Sequence, residues 1–272
     1  MPPMAASTAV PPGMVGGPVG YKPPTRGFNG IFILGEAPGR EEAFEKIPFA
    51  DRAGRLADRI LEKAGYSRDQ LWMANVFRWR PDNNDHTLFF GEAPKGTAAP
   101  APAGQAAPEN PNDVVTDTTH IPAYNPGKGK TLYVKRAFLP DIRFLRASIM
   151  AIQPAVIMPM GNIACWAMIG MTGIGKMRGM IFSVPWTDAA IIPTYHPASA
   201  LPSRSPDNEK AILADLTGPV RHALDAAGYR GIDPDNFDHP ATGYSGKIDQ
   251  GEYNAFVKKL EQAQKERQSK AA

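Results

Sequence analysis

The sequence predicts an α/β fold, a three-layer α/β/α sandwich around a four-stranded, mainly parallel central sheet. Two observations carry that reading. Four short runs, at residues 31–34, 71–77, 155–160 and 190–194, are almost wholly apolar rather than alternating, as strands covered on both faces are. Stretches with helical spacing of apolar residues separate them, as crossovers between parallel strands require.

In order, residues 1–29 are rich in Pro, Gly and small side chains and read as a flexible arm lying near Tyr21. Strand 31–34 breaks into Gly35-Glu36-Ala37-Pro38-Gly39, a loop too rich in Gly and Pro to stay in a sheet. An acidic run and Pro48-Phe49 lead to a helix over 51–64, with Leu56, Ile60 and Leu61 at helical spacing and Gly65 at its end. Strand 71–77 breaks at Arg78-Trp79-Arg80-Pro81. Residues 82–131 lose all periodicity and contain GTAAPAPAGQAAPENPND, the composition of a disordered or extended insertion. A helix over 138–152 presents Leu139, Ile142, Leu145, Ile149 and Ile152 on one face. Strand 155–160, helix 162–169, a short strand at 180–184 and strand 190–194 follow, the last ending in Tyr195-His196-Pro197. A helix over 208–227 closes the domain at about residue 231. The extension 232–272 is polar, with a charged helix over 251–265.

Composition narrows the function. With 272 residues and 43% hydrophobic content the chain can build one large core, while 28 Pro and 26 Gly imply long loops. A net charge of +3 is compatible with a nucleic-acid partner but does not by itself argue for one. The single cysteine, Cys165, excludes a disulfide framework and a cysteine-built metal site within the chain. No signal peptide is evident, and no apolar run reaches the roughly 18 residues of a membrane span. A cytoplasmic monomer is the expectation.

Parallel strands point their carboxyl ends to one edge, where ligands of such sheets bind. Glu36, with Glu42 and Phe49 close behind it, Asn75 and His196 all stand at such ends. Each alone has an ordinary structural use, as a turn, a cap or a core residue. Together they suit a flat heterocycle: an aromatic face to stack, a carboxamide to pair with an edge, and an imidazole to donate to an oxygen gaining charge.

The stretches GEAPGREEAF…PFADRAGRLADRIL, ANVFRWRPDNN and PTYHPASAL resemble the uracil-DNA glycosylase superfamily, most closely its iron–sulphur-containing fourth family. The resemblance covers residues 30–81 and 138–220, and four motifs agree in order and spacing. It implies a hydrolase that removes uracil, or a related deaminated or 5-modified pyrimidine, from DNA and leaves an abasic site. By position, Phe49 matches the aromatic that stacks on the extruded base. Asn75 matches the carboxamide that reads uracil O4 and N3–H, with Gly35 and Ala37 lining the same pocket. His196 matches the histidine that donates to uracil O2. Glu36 lies near the sugar and its attacking water, and Glu42 matches a second acid that shapes the pocket. Leu201, five residues after His196, is the candidate wedge for the gap left in the duplex. Arg204 is a candidate phosphate contact, as are Lys135 and Arg136 within a basic run that also holds Lys128, Lys130, Arg143 and Arg146.

The departures are as informative. The family holds its cluster with four cysteines, whereas here the arm has none, Trp79 stands in the motif position, and no cysteine lies near Pro140 or Asp141. The cluster is therefore expected to be absent, with Trp79 filling its volume. Position 37 is Ala where the best-known uracil glycosylases carry a water-activating aspartate, which leaves Glu36, Glu42 or backbone carbonyls for that task. Gly39 replaces the tyrosine that blocks thymine's methyl group in those enzymes, so exclusion of 5-substituted uracils is open. The lost cysteines and divergent insertion would suit a virus-encoded version. The rival expectations are a glycosylase-fold protein that binds modified or damaged DNA without turnover, and a nucleoside-processing enzyme; no GxxxxGK phosphate loop supports the latter.

Overall fold

The strand Ile31–Gly35 (β1) is buried at every position, and its side chains alternate between two separate cores. Phe32 and Leu34 enter one core, Ile31 and Ile33 the other, as a pleated strand covered on both faces must divide them. The computed structural model describes residues 10–93, 113–116, 121–127 and 129–229. Nearly all of the low-complexity stretch and the expected C-terminal helix lie outside the described residues.

β1 pairs in parallel with Trp72–Asn75 (β2) on one side and Val156–Pro159 (β3) on the other. A hairpin of Phe182–Val184 (β4) and Thr187–Ile191 (β5) completes the sheet, with β5 parallel to β3 and β4 antiparallel at the edge. The order is β2-β1-β3-β5-β4. The four expected parallel strands are present, and the short run at 180–184 adds a fifth, antiparallel strand. The last parallel strand sits three residues earlier than its apolar run implies. Pro193 has no N–H to give a ladder, and beyond Ile191 only the Met160–Thr194 bridge continues the pairing.

The helices are Arg40–Glu45 (α1), Arg52–Lys63 (α2), Leu139–Ile152 (α3), Asn162–Ile169 (α4), Ile174–Met177 (α5), Asp207–Asp215 (α6) and Arg221–Ala226 (α7). Helices α2, α6 and α7 bury Leu56, Ile60, Leu61, Ile212 and Leu224 on the Ile31 and Ile33 face. Helices α3 and α4 bury Ile142, Leu145, Ile149, Ile163 and Trp166 on the opposite face. Asp51 caps α2 by accepting from Gly54 N at 2.8 Å, and Gly65, at φ +83°, ends it in the left-handed region. The helix expected over 208–227 is broken by a wide turn at Leu216–Val220 that contains Pro219, whose missing N–H interrupts the regular ladder.

Two expectations about the periphery are corrected. Residues 10–29 are not a free arm: Met14–Val15 pairs antiparallel with Arg80–Pro81, Val19 N donates to Arg78 O at 2.7 Å, and Met14, Val19 and Phe28 are buried. Three well-spaced apolar residues suffice to seal the segment onto the domain. Nor is the insertion shapeless throughout. Phe90–Gly91 pairs with Lys130–Val134, which pairs with Tyr124–Gly127, giving a small antiparallel sheet.

That sheet and the arm enclose an aromatic cluster centred on Phe77. Its ring stacks on Phe89 at 3.9 Å and 10°, and meets Phe90 and Phe138 edge-on at 5.8 and 5.7 Å. Truncating Phe77 to Ala removes the hub of this cluster. The expected loss is about 3–5 kcal/mol of unfolding free energy, read from the midpoint of a urea titration.

Candidate active site

The pocket forms at the carboxyl ends of β1 and β2, beside the point where the strand order reverses between β1 and β3. Gly35 closes β1, and a Cβ there would run into the Asn75 carboxamide oxygen and the Phe49 ring. Glycine at this position is what leaves a cleft between those two groups. Asn75 closes β2 and is 5% exposed. Its Nδ2 donates to Glu42 Oε1 at 3.2 Å, which fixes the carboxamide's direction.

Glu42 is the joint of this half of the site. Its Oε2 accepts from Gly39 N at 2.6 Å, closing the N-terminus of α1, and its Oε1 also accepts from Phe49 N at 2.5 Å. Burial pushes the Glu42 carboxyl up; the Gly39, Phe49 and Asn75 donors oppose this, while the Asp51 charge adds to it, and the net direction is upward. Phe49 is buried with φ +58°, a left-handed conformation that costs an aromatic residue of order 1–3 kcal/mol. Both of its backbone polar groups are held by side chains. Glu42 takes the N–H, and Arg68 Nη1 donates to the carbonyl at 3.1 Å while Nη2 donates to Pro48 O at 2.6 Å. Asp58 in turn pairs with Arg68 at 2.8 Å.

The next residue of the chain, Glu36, belongs to the other face of the sheet. Its Oε1 accepts from Ile163 N at 3.1 Å, and its Oε2 lies 3.3 Å from His86 Nδ1. Burial pushes the Glu36 carboxyl up, but the His86 hydrogen bond, the His196 and His86 charges and the Ile163 N–H outweigh it and hold it below the usual range. Gly161, at φ +94°, has Glu36 and His196 where a Cβ would stand, so the backbone of the β3–α4 turn passes close to both.

His196 starts the turn Pro197–Ala200, where its Nδ1 accepts from Ala198 N at 3.2 Å. With Nδ1 an acceptor, the proton of the neutral ring resides on Nε2, which becomes a donor. Burial pushes His196 down, against the upward pull of Glu36 and Asp51, so the ring is neutral near pH 7. The His196 and Phe49 rings are nearly parallel, at 17°, with centroids 6.5 Å apart.

The structure thus brings together Gly35, Glu36, Glu42, Phe49, Asn75 and His196 from five separate segments. Ala37 is half-buried against the first core, next to them in sequence. Leu201 follows the His196 turn but leans half-buried on the second core, and Arg204 is exposed with its backbone N–H on Leu201 O at 2.8 Å. Lys135 and Arg136, both half-buried, sit on the other flank, where their N–H groups donate to Phe89 O and Asp113 O. Lys128 lies outside the described residues. Sequence reasoning missed Arg68, whose ordinary helix-flanking position carries no signal, and His86, which falls in a stretch with no periodicity.

The corner where an iron–sulphur cluster would stand does not fit one. Trp79 is 8% exposed in the core, and Asp141 is buried with its two oxygens accepting from Arg78 N and Nε at 3.0 and 2.9 Å. The free Cys165 is buried on α4. Among the described residues no group of three or more His, Cys, Asp or Glu is placed to hold a metal ion.

Comparison with known proteins agrees with this geometry. The model of the uracil DNA glycosylase superfamily matches residues 29–217. The type-4 uracil-DNA glycosylase of Thermotoga maritima is 28% identical over 189 residues, covering 68% of this chain and 73% of that one. The type-4 uracil-DNA glycosylase of Saccharolobus solfataricus is 26% identical over 217 residues, 76% of each chain. That of Archaeoglobus fulgidus is 41% identical over 54 residues, covering 20% of this chain and 27% of its own.

Because Arg68 holds Phe49 in a strained conformation from outside the pocket, Arg68→Ala frees that ring without touching any group that faces a substrate. The expected result is about a tenfold weaker affinity for a base-containing ligand, or about 1.4 kcal/mol, with a smaller change in turnover.

Proposed function

This chain belongs to the uracil DNA glycosylase superfamily and is a hydrolytic DNA N-glycosylase, and from that premise we propose how its residues share the hydrolysis of the bond between uracil and deoxyribose. The observation that carries the reading is the convergence of Gly35, Phe49 and Asn75 on one cleft with the His196 ring across from Phe49.

A uracil extruded from the helix stacks on Phe49. One hydrogen of Asn75 Nδ2 is committed to Glu42, so the second faces uracil O4 and Oδ1 accepts from N3–H. Cytosine inverts both groups, setting donor against donor and acceptor against acceptor, and a buried polar mismatch of this kind costs about 1–3 kcal/mol per group. Glu42 therefore acts on specificity by preventing the amide from turning over.

Bond cleavage leaves a sugar with cationic character and an anionic base. The Nε2–H of neutral His196 donates to O2 as charge builds there, which lowers the barrier by about 3–4 kcal/mol for one well-placed donor. Glu36, ionised and fixed at both oxygens, stabilises the cationic sugar and orients the water that adds to C1′. Gly39 contributes only its backbone N–H to Glu42, so no side chain at that position walls off the 5-position of the base, and 5-substituted uracils enter the substrate range.

Leu201 fills the gap in the duplex, and Arg204, Lys135 and Arg136 meet phosphates on either flank, making binding salt-dependent. The enzyme acts inside the cell as a monomer and without an iron–sulphur cluster. No helix among the described residues is long and apolar enough to cross a membrane.

The test is release of base from oligonucleotides carrying uracil, 5-hydroxymethyluracil, hypoxanthine or xanthine, single- and double-stranded, read as alkali-labile nicks. Uracil is expected to be excised, with Asn75→Ala or His196→Ala reducing the rate by about a hundredfold or more. Tight, salt-sensitive binding with no product from any substrate would move the protein to the binding-only reading. Independently, the purified protein should contain no stoichiometric iron. Its excision rate and melting temperature should also survive prolonged chelation; loss of either on chelation would restore a metal to the fold.

A further inference from the structure

A histidine that no glycosylase motif in the chain supplies stands against the acid of the site. His86 lies in the turn His86–Phe89, within the stretch that the sequence leaves without periodicity. Its Nδ1 is 3.3 Å from Glu36 Oε2, and the two side chains are 34% and 16% exposed. Among the described residues no other side chain pairs with Glu36. The remaining oxygen is held by the Ile163 N–H, so these two donors together define the carboxylate's position.

The turn that carries His86 is itself fixed from several directions. Asp85 caps it by accepting from Thr87 N and Oγ1 at 2.9 and 2.6 Å. Phe89, at its other end, is sealed in the aromatic cluster on Phe77. Just before it, Asp82 N donates to Gly13 O at 2.9 Å, beside the two-residue pairing of Met14–Val15 with Arg80–Pro81. The docked arm and the aromatic packing thus deliver an imidazole to the carboxylate of Glu36.

We propose that His86 is a positioning residue of the glycosylase reaction, acting through Glu36 by locking its carboxylate, ionised, toward the sugar and water. The inference rests on the uracil-excision reading and deepens it. It also gives the missing aspartate at position 37 a counterpart: with Ala there, the cationic sugar and the water depend on Glu36, and Glu36 depends on His86 for its one charged or chargeable donor.

The pair has a distinctive pH signature. The titratable groups whose charges reach Glu36 are His86 and His196, together with Tyr124 and Cys165, both pushed up to about 12 by burial first and by the Glu36 charge second. Asp51, His86 and Arg204 act on His196, and His86 and Lys135 both act on Asp85. Of these, only His86 is both in contact with Glu36 and outside the base-binding groups. Burial pushes Glu36 up and His86 is the largest opposing influence. Removing His86 therefore lets the carboxyl protonate at higher pH, and activity that needs the ionised acid fails earlier as pH falls.

The experiment is single-turnover excision of uracil from a single-stranded oligonucleotide across the pH range, with wild type, His86→Ala, His86→Gln, Glu36→Gln and the His86→Ala/Glu36→Gln double variant. Expected for His86→Ala are a tenfold or greater fall in the maximal single-turnover rate with little change in the enzyme concentration that gives half of it, and an acid limb displaced to higher pH, by about one unit for each tenfold loss read on the acid side. His86→Gln, which keeps a donor, should recover part of the rate. In the Glu36→Gln background the His86 substitution should add little. An unchanged rate and acid limb in His86→Ala would overturn the inference, as would an undiminished effect without Glu36. So would a rate loss matched by a fall in melting temperature with no shift of the limb. Carbon NMR of the Glu36 carboxyl, assigned by its absence in Glu36→Gln, separates the two readings. A wild type that excises nothing defeats the enzymatic reading, whereas a Glu36 titration identical in wild type and His86→Ala defeats the His86 pair whether or not the protein turns over.

Discussion

A single buried carboxylate, Glu42, holds the half of the site around Phe49 and Asn75 in register. It has no cation beside it among the described residues; three hydrogen-bond donors, two of them backbone, stand in for one. Burying a carboxylate on such terms is costly, which is why its affinity for a proton rises. What the arrangement secures is direction. One side chain closes the helix that follows the β1 loop, holds an aromatic ring in a conformation it would otherwise avoid, and decides which way an amide faces. A salt bridge could neutralise the charge but could not do all three, because an ion pair is satisfied in many orientations and these hydrogen bonds are not.

The corner around Trp79 shows how aromatic packing can join distant parts of a chain. Segments far apart in sequence meet there: the arm at Met14, the strand end at Phe77, the insertion at Phe89 and Phe90, and the start of α3 at Phe138. Stacked and edge-on rings tie these segments together, with half-buried Arg78 and buried Asp141 pinning the start of α3 to the segment after β2 and Arg78 also lying 4.7 Å over the Phe144 ring. Aromatic packing of this density contributes through area and shape and needs no external supply.

Most of the architecture was legible because its cause is local. Apolar runs such as 155–160 can be satisfied only between two layers, and α4 needs nothing beyond its own apolar sequence and flanking glycines, so it begins and ends where read. The convergence of the candidate site residues was legible for a different reason, namely that Gly35 and Asn75 close strands and His196 follows one, and strand ends of a parallel sheet share an edge. What escaped was whatever depends on partners distant in sequence. The docking of residues 10–29 rests on three apolar side chains in a Pro- and Gly-rich background, which composition alone reads as unstructured. His86 sits among polar residues with no period, and its significance comes entirely from Glu36, fifty positions earlier. Arg68 looks like any surface arginine until Phe49 is seen to need a clamp.

The alternation of β1 finally accounts for how the two halves of the chemistry are kept apart. Odd positions of the strand face the core under α2, so Gly35 opens toward Phe49 and Asn75; even positions face the core under α3 and α4, so Glu36 points toward Ile163 and His86. Consecutive residues therefore serve opposite faces of the sheet. Displacement at a glycosidic carbon benefits from this division, since water that approaches from the side away from the departing base meets no steric or electrostatic conflict with it. Under the proposed roles, a strand end that sends the Gly35 cleft to one face and Glu36 to the other imposes that separation through backbone pleat alone. It requires only that the register of β1 against β2 and β3 never slip, because a shift of one residue would exchange the two faces. The paired register of the strand on both sides and the glycine at position 35, where any Cβ would strike Asn75 and Phe49, are what hold it in place, so the most apolar stretch of the chain and its most polar site are parts of one device.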